Sequence, residues 1–169
     1  LFQTTFFGVG NACAVMIGNE LGRGKRDLAY TYSQLFLRIT AILCVVLTLL
    51  LLFSRDLIIN IYDYDAATNT ILRETLVVYA LFNTPRMLTY TLLVGILRAG
   101  GDTTFSSTLD ILGIWCIGVP LAFLSAKVWG LSLSWVIALS LSDEIIKALI
   151  CLWRMKSKKW MHVLTMVES

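Results

Sequence analysis

The sequence predicts an all-α polytopic membrane protein, and three observations lead there. Of the 169 residues, 57% are hydrophobic and only 15% charged, with a mean hydropathy of +0.77. Soluble domains run at about 45–50% apolar and about 25% charged, and a soluble fold of this size has too little interior for so much apolar side chain. The apolar residues fall into five runs, each close to the about 20 residues that a helix needs to cross a bilayer. The basic residues gather mainly between or after those runs, as they do when cations orient spans in a membrane.

The five predicted spans are residues 2–21, 35–53, 75–97, 105–126 and 128–153, followed by a cytoplasmic tail, 154–169. The chain opens inside an apolar stretch at Leu1, without Met or a basic leader, so a signal peptide is not expected and an upstream segment is. The first span is interrupted by Gly8, Gly10, Asn11, Ala12, Ala14, Gly18 and Asn19. Small residues at such spacing let helices approach closely, so this span is placed inside a bundle. Gly22 and Gly24 are expected to end it, with Arg23, Lys25 and Arg26 at its negative pole. The run Gly18-Asn19-Glu20-Leu21-Gly22-Arg23-Gly24-Lys25-Arg26 lacks the glycine spacing and the Lys-Ser/Thr of a phosphate loop, which excludes nucleotide binding there.

Residues 54–74 read as a loop. Asp63, Asp65 and Glu74 match three positions of a calcium loop, but Ala67 and Thr68 stand where a ligand and a glycine are required. Asp63 or Asp65 is instead expected to cap a short helix leading into the third span. Pro85 and Pro120 lie inside spans, where each frees a backbone carbonyl four residues earlier and marks a kink. Trp129, Trp153 and Trp160, with Tyr30, Tyr32, Tyr62 and Tyr64, read as interfacial anchors. His162 reads as a solvated or interfacial group.

Assigning alternate loops to the cytoplasm puts nine of the 14 Lys/Arg inside and three outside, leaving Arg86 and Lys147 within the membrane. The tail, Gly24 and Ser157 then face the cytoplasm and Asn69 faces outside. Neither basic cluster sits on a soluble domain, so no nucleic-acid partner is expected. Cys13, Cys44, Cys116 and Cys151 all lie in apolar stretches without metal-type spacing, which argues for small packing residues rather than a zinc or disulfide framework.

The ionisable residues inside the spans carry the most specific signal, because each costs a few kcal/mol unless it is paired or faces a cavity. Asp110 and Lys147 should lie at the same depth, roughly 8–9 Å from the cytoplasmic ends of consecutive spans. Asp143 and Glu144 are spaced to reach Lys147 along one helix face. Asn83 and Arg86 fall near mid-membrane on the third span. Asp110, Glu144, Lys147, Asn83 and Arg86 are therefore the candidate site, either as a charge network that locks helices together or as part of a substrate or ion path. One histidine without an acidic neighbour in sequence offers no nucleophile–base pair and no metal cluster, so an enzyme is not expected and no catalytic residue or metal ligand is assigned.

Four segments resemble the multidrug and toxic compound extrusion family. They are Gly10-Asn11 through Gly18-Asn19-Glu20-Leu21-Gly22-Arg23-Gly24, then Gly95-Ile96-Leu97-Arg98-Ala99-Gly100-Gly101-Asp102-Thr103. Trp115-Cys116-Ile117-Gly118-Val119-Pro120-Leu121-Ala122 follows, and last Asp143-Glu144-Ile145-Ile146-Lys147 with Lys158-Lys159-Trp160. The resemblance implies a plasma-membrane carrier of twelve helices in two six-helix lobes, this chain supplying the last five helices of the C-terminal lobe. It implies export of small organic cations or drugs in exchange for H+ or Na+, with no other cofactor, and partners in the N-terminal lobe of the same chain and in membrane lipid. Lipid or polysaccharide flippases of the same superfamily are the alternative. Where relatives place an acidic cation ligand in the third span, this chain carries Asn83 and Arg86.

Overall fold

The computed structural model describes residues 2–61 and 65–162, and every regular element among them is helical. Helix α1 is Phe2–Gly22 and α2 is Arg26–Ile61. Helix α3, Ala66–Tyr90, runs on into a π-helical stretch, Thr91–Arg98. The fourth rod joins α4, Thr103–Gly113, to α5, Val119–Phe123, through a π-helical stretch, Ile114–Gly118, and closes with a second, Leu124–Val128. The fifth is α6, Leu133–Ser140, and α7, Ser142–Lys156. Five rods thus correspond to the five predicted spans. Two of them, Arg26–Leu57 and Thr103–Val128, are long and apolar enough by themselves to cross a membrane.

The first connection forms for a reason legible in the chain. The Lys25 N–H donates to Glu20 O and the Gly24 N–H to Leu21 O, each at 2.9 Å, and Gly24 has φ +75°. That pair of bonds around a left-handed residue is a Schellman cap, which only glycine adopts at no steric cost. The expected end of the first span stands.

The segment read as a loop at 54–74 is mostly helix instead. Helix α2 continues to Ile61 and α3 begins at Ala66, with Asp65 at its N-cap position in extended backbone. At about 1.5 Å per residue, the 36 residues of α2 outreach a hydrocarbon core of about 30 Å. Its charged end is held where Asp56 Oδ1 meets Arg55 Nε at 3.2 Å and Arg73 of α3 at 3.1 Å. Asp65 opens the long α3 rather than a short separate helix. Asp63, Tyr62 and Tyr64 lie outside the described residues, as does the tail beyond His162.

The fifth span also starts later than residue 128. Trp129–Ser132 form a turn with Gly130 at φ +57°, and α6 begins at Leu133. The helix then breaks at Leu141, whose ψ is 0°. The Ser142 hydroxyl donates to Leu139 O at 2.7 Å across that break, a side chain competing for a backbone acceptor. The two prolines behave differently. Pro85 is carried within α3, whereas Pro120 opens α5 directly after a π-helical stretch, where wider turns already interrupt the ordinary ladder.

Helices α1, α3 and α7 make the centre. Cys13, Ile17 and Leu21 of α1 pack on Leu92, Leu93, Ile96 and Leu97 of the π-helical stretch and on Cys151 and Met155 of α7. The approach is close because a Cβ at Gly95 would lie 3.2 Å from Cys13 Sγ and from Gly10 O. Only one face of α1 is used in this way, since Asn11, Ala12 and Asn19 are exposed. Hydroxyls join α2 to α3 and its π-helical continuation, with Thr40 Oγ1 3.1 Å from Thr91 Oγ1 and Thr48 Oγ1 3.2 Å from Thr84 Oγ1, a frequent bond between spans. Outward, α2 presents Ile42, Val45, Val46, Leu49, Leu50 and Phe53, and the fourth rod presents Ile111, Trp115, Val119 and Phe123. So much contiguous apolar side chain on the outside belongs against lipid or further protein, not water.

Candidate functional site

Helix α7 places Asp143, Glu144 and Lys147 on one face, and the fold turns that face toward α4 and the end of the α3 rod. The Lys147 ammonium is 2% exposed and lies 3.1 Å from Asp143 Oδ2, 3.1 Å from Glu144 Oε1 and 3.3 Å from Asp110 Oδ1. The other oxygen of Asp110 is 3.6 Å from Arg98 at the end of the π-helical stretch. Asp110 therefore bridges two cations from two different rods. Burying the lysine costs several kcal/mol of hydration, which close carboxylates with good geometry can offset.

Glycines of the fourth rod make the space. A Cβ at Gly113 would fall 2.7 Å from Lys147 Cδ, and one at Gly118 would fall 3.2 Å from Ser140 O and 3.7 Å from Asp143 Cγ. Thr89 ties α3 to the same region, its hydroxyl 2.9 Å from Pro85 O and 3.0 Å from Glu144 O.

Two cavities flank the cluster. One, of about 260 Å³, is lined by Arg86, Thr89, Tyr90, Asp110, Glu144 and Lys147 among others. The other, of about 270 Å³, lies against Arg86, Gly118, Val119, Asp143 and Glu144. Arg86 and Glu144 line both. Phe7 of α1 closes the first cavity by an edge-to-face contact with Tyr90, ring centres 5.0 Å apart.

The structure thus brings Asp110, Glu144 and Lys147 into direct contact and sets Arg86 beside them across a cavity. Asn83 stands apart. It is buried, lines neither cavity, and its Oδ1 has no hydrogen-bond partner among the described residues. Pro85 precedes Arg86 in α3, and Pro120 follows Val119 of the second cavity. Arg98, Thr89 and Gly113 escaped the sequence reading. Arg98, one residue past the predicted end of the third span, instead ends a continuous helical rod. Asp143 was legible only as a helix-spacing partner, and its burial beside Lys147 was not.

A second charged cluster lies at the start of the predicted cytoplasmic tail. Arg154 Nε is 2.7 Å from Asp102 Oδ2, and its guanidinium stacks 4.7 Å from the centre of the Phe105 ring. Trp160, read as an interfacial anchor, is fully buried instead. Its indole N–H donates to Met155 O at 3.0 Å, and its ring fills the space that a side chain at Gly100 would need. His162 is exposed as a side chain, but its backbone N–H donates to Gly100 O at 2.9 Å. Residues up to 162 are therefore docked on the α3–α4 link. Trp129 and Trp153, by contrast, are exposed, as interfacial side chains are.

Rods with apolar outer faces and an ion-paired centre define a polytopic α-helical membrane protein. Comparison with known proteins narrows that class. The MatE family model matches residues 1–124. The chain is 29% identical over 114 residues to multidrug and toxin extrusion protein 1 of Oryctolagus cuniculus, covering 68% of this chain and 20% of that protein. It is 26% identical over 126 residues to a probable multidrug resistance protein NorM of Bacillus cereus, covering 75% and 28%. Over 161 residues it is 26% identical to the uncharacterized transporter YisQ of Bacillus subtilis, covering 91% and 34%. No solved structure matches the chain. The chain belongs to the MatE family, that of the multidrug and toxic compound extrusion transporters, and it spans between a fifth and about a third of the length of these relatives.

Proposed function

We propose that these helices act in a secondary active antiporter of the plasma membrane that exports small organic cations or drugs in exchange for H+ or Na+. The family and the names of the multidrug-extrusion relatives support export. The observation that carries ion coupling is the buried ammonium of Lys147 shared among three carboxylates of two rods, next to a cavity. A proton or cation arriving at Asp110 competes with Lys147 for the carboxylate. Losing that bridge loosens α4 from α7, which is how occupancy of the site would bias the packing of the lobe. Substrate sites of such carriers lie between two repeats. The working unit is therefore the whole two-lobe carrier in lipid, with its C-terminal end in the cytoplasm.

The test is counterflow of a fluorescent organic cation into proteoliposomes under imposed pH or Na+ gradients. The whole carrier should move dye when either gradient is applied, and residues 1–169 alone should not. Movement of lipid-linked sugars without dye flux would point to a flippase. Gradient-independent dye flux would refute the antiport reading, and flux by residues 1–169 alone would refute the two-lobe requirement.

A further inference from the structure

Within the α4–α7 cluster every charged side chain has an opposite charge within 4 Å. Arg86 shares both cavities with that cluster and, among the described residues, makes neither an ion pair nor a hydrogen bond. It is half-buried in the middle of the α3 rod, and a guanidinium cannot shed its proton to escape the cost of that position. The first cavity is lined by three cations, Arg86, Arg98 and Lys147, against two carboxylates, Asp110 and Glu144. Both carboxylates are already engaged by Lys147, and Asp110 also by Arg98. Counting Asp143, which also engages Lys147, three cations face three carboxylates, and Arg86 alone of the six has no partner within 4 Å among the described residues.

We propose that this cavity is a binding site for a small aromatic carboxylate, its carboxylate on Arg86 and its ring against the Phe7–Tyr90 pair. The planar fork of a guanidinium matches a carboxylate bidentately. An edge-to-face aromatic pair at the cavity wall offers a ring the preferred offset or edge contact. A volume of about 260 Å³ accommodates one or two fused rings rather than a large drug. Binding here goes beyond export of organic cations, because the group recognised is an anion held on Arg86 and not on Asp110.

The test is a fluorescence titration of the whole carrier in lipid nanodiscs with 2-naphthoate and with its neutral counterpart, 2-naphthamide. Naphthoate should bind saturably, and the amide at least tenfold more weakly. Arg86→Met should weaken naphthoate at least tenfold, and Arg86→Lys should fall between, since it keeps the charge and loses the fork. Thermal unfolding of both variants establishes that they fold. Equal affinity of acid and amide for the unsubstituted protein would overturn the proposal without any variant. So would absence of saturable naphthoate binding, or unchanged affinity in a folded Arg86→Met protein. Dye flux that persists in any of these cases leaves the antiport reading intact.

Discussion

Replacing Lys147 with Met should be the most damaging single charge change in this chain, and the structure says why Asp110→Asn should not equal it. Lys147 is 2% exposed, Asp143 5% and Glu144 14%. Deleting the ammonium strands two largely desolvated carboxylates, and breaking one buried pair of that kind typically costs about 3–5 kcal/mol. Both carboxylates depend on the same ammonium, so the costs do not simply double. Asp110 is 37% exposed and keeps Arg98 at 3.6 Å. Its carboxylate is less desolvated than those of Asp143 and Glu144, so its loss should cost less than that of Lys147. From the sequence, with Asp110 and Lys147 at one depth, the double change is expected to recover part of the loss, and the two groups do meet at 3.3 Å. The structure adds a closer and more buried partner in Asp143. Lys147→Met combined with Asp143→Asn should cost less than the sum of the single changes, by about 0.5–3 kcal/mol. The assay is far-UV circular dichroism during unfolding of the purified carrier by sodium dodecyl sulfate in mixed micelles. A Lys147→Met protein within about 1 kcal/mol of the parent would refute the assignment of a desolvated pair. Strict additivity with Asp143→Asn would refute the contact itself.

Gly113→Ala should destabilise by about 1–3 kcal/mol, because the new methyl group overpacks against the Lys147 side chain 2.7 Å away. Combining it with Lys147→Met should remove most of that penalty, which the same unfolding series reads. Trp160→Ala should cost about 3–5 kcal/mol as a buried aromatic and open the docked segment to limited proteolysis after Lys158 or Lys159. Gly100→Ala should give the same proteolytic pattern, and protection equal to the parent in both would contradict the docking. For orientation, single cysteines at positions 24, 69 and 157 of a cysteine-free carrier can be probed with an impermeant maleimide on intact cells. Position 69 should label and positions 24 and 157 should not, and the reverse pattern would invert the topology.

The sequence by itself determined the class of the protein, the number of rods and the cap that ends α1. Each of these rests on short-range physics. Apolar runs of bilayer length, and the steric freedom of glycine at a helix end, need no knowledge of distant residues. Counting residues at a fixed rise also put Asp110 and Lys147 at one depth. Depth is not azimuth, however, and only tertiary structure decided which faces meet. It turned Arg98 onto Asp110 and buried Asp143 under Lys147, while leaving Arg86 beside the cluster with no partner among the described residues. It also carried helix through most of residues 54–74, because a bilayer sets how much of a helix must be apolar and not where the helix stops. Trp160 shows the same limit most simply. Its place beside a membrane span suggests an interfacial anchor, yet the indole is buried because Gly100, sixty positions earlier, has no side chain to keep it out. Such complementarity between distant residues exists only once the chain has brought them together.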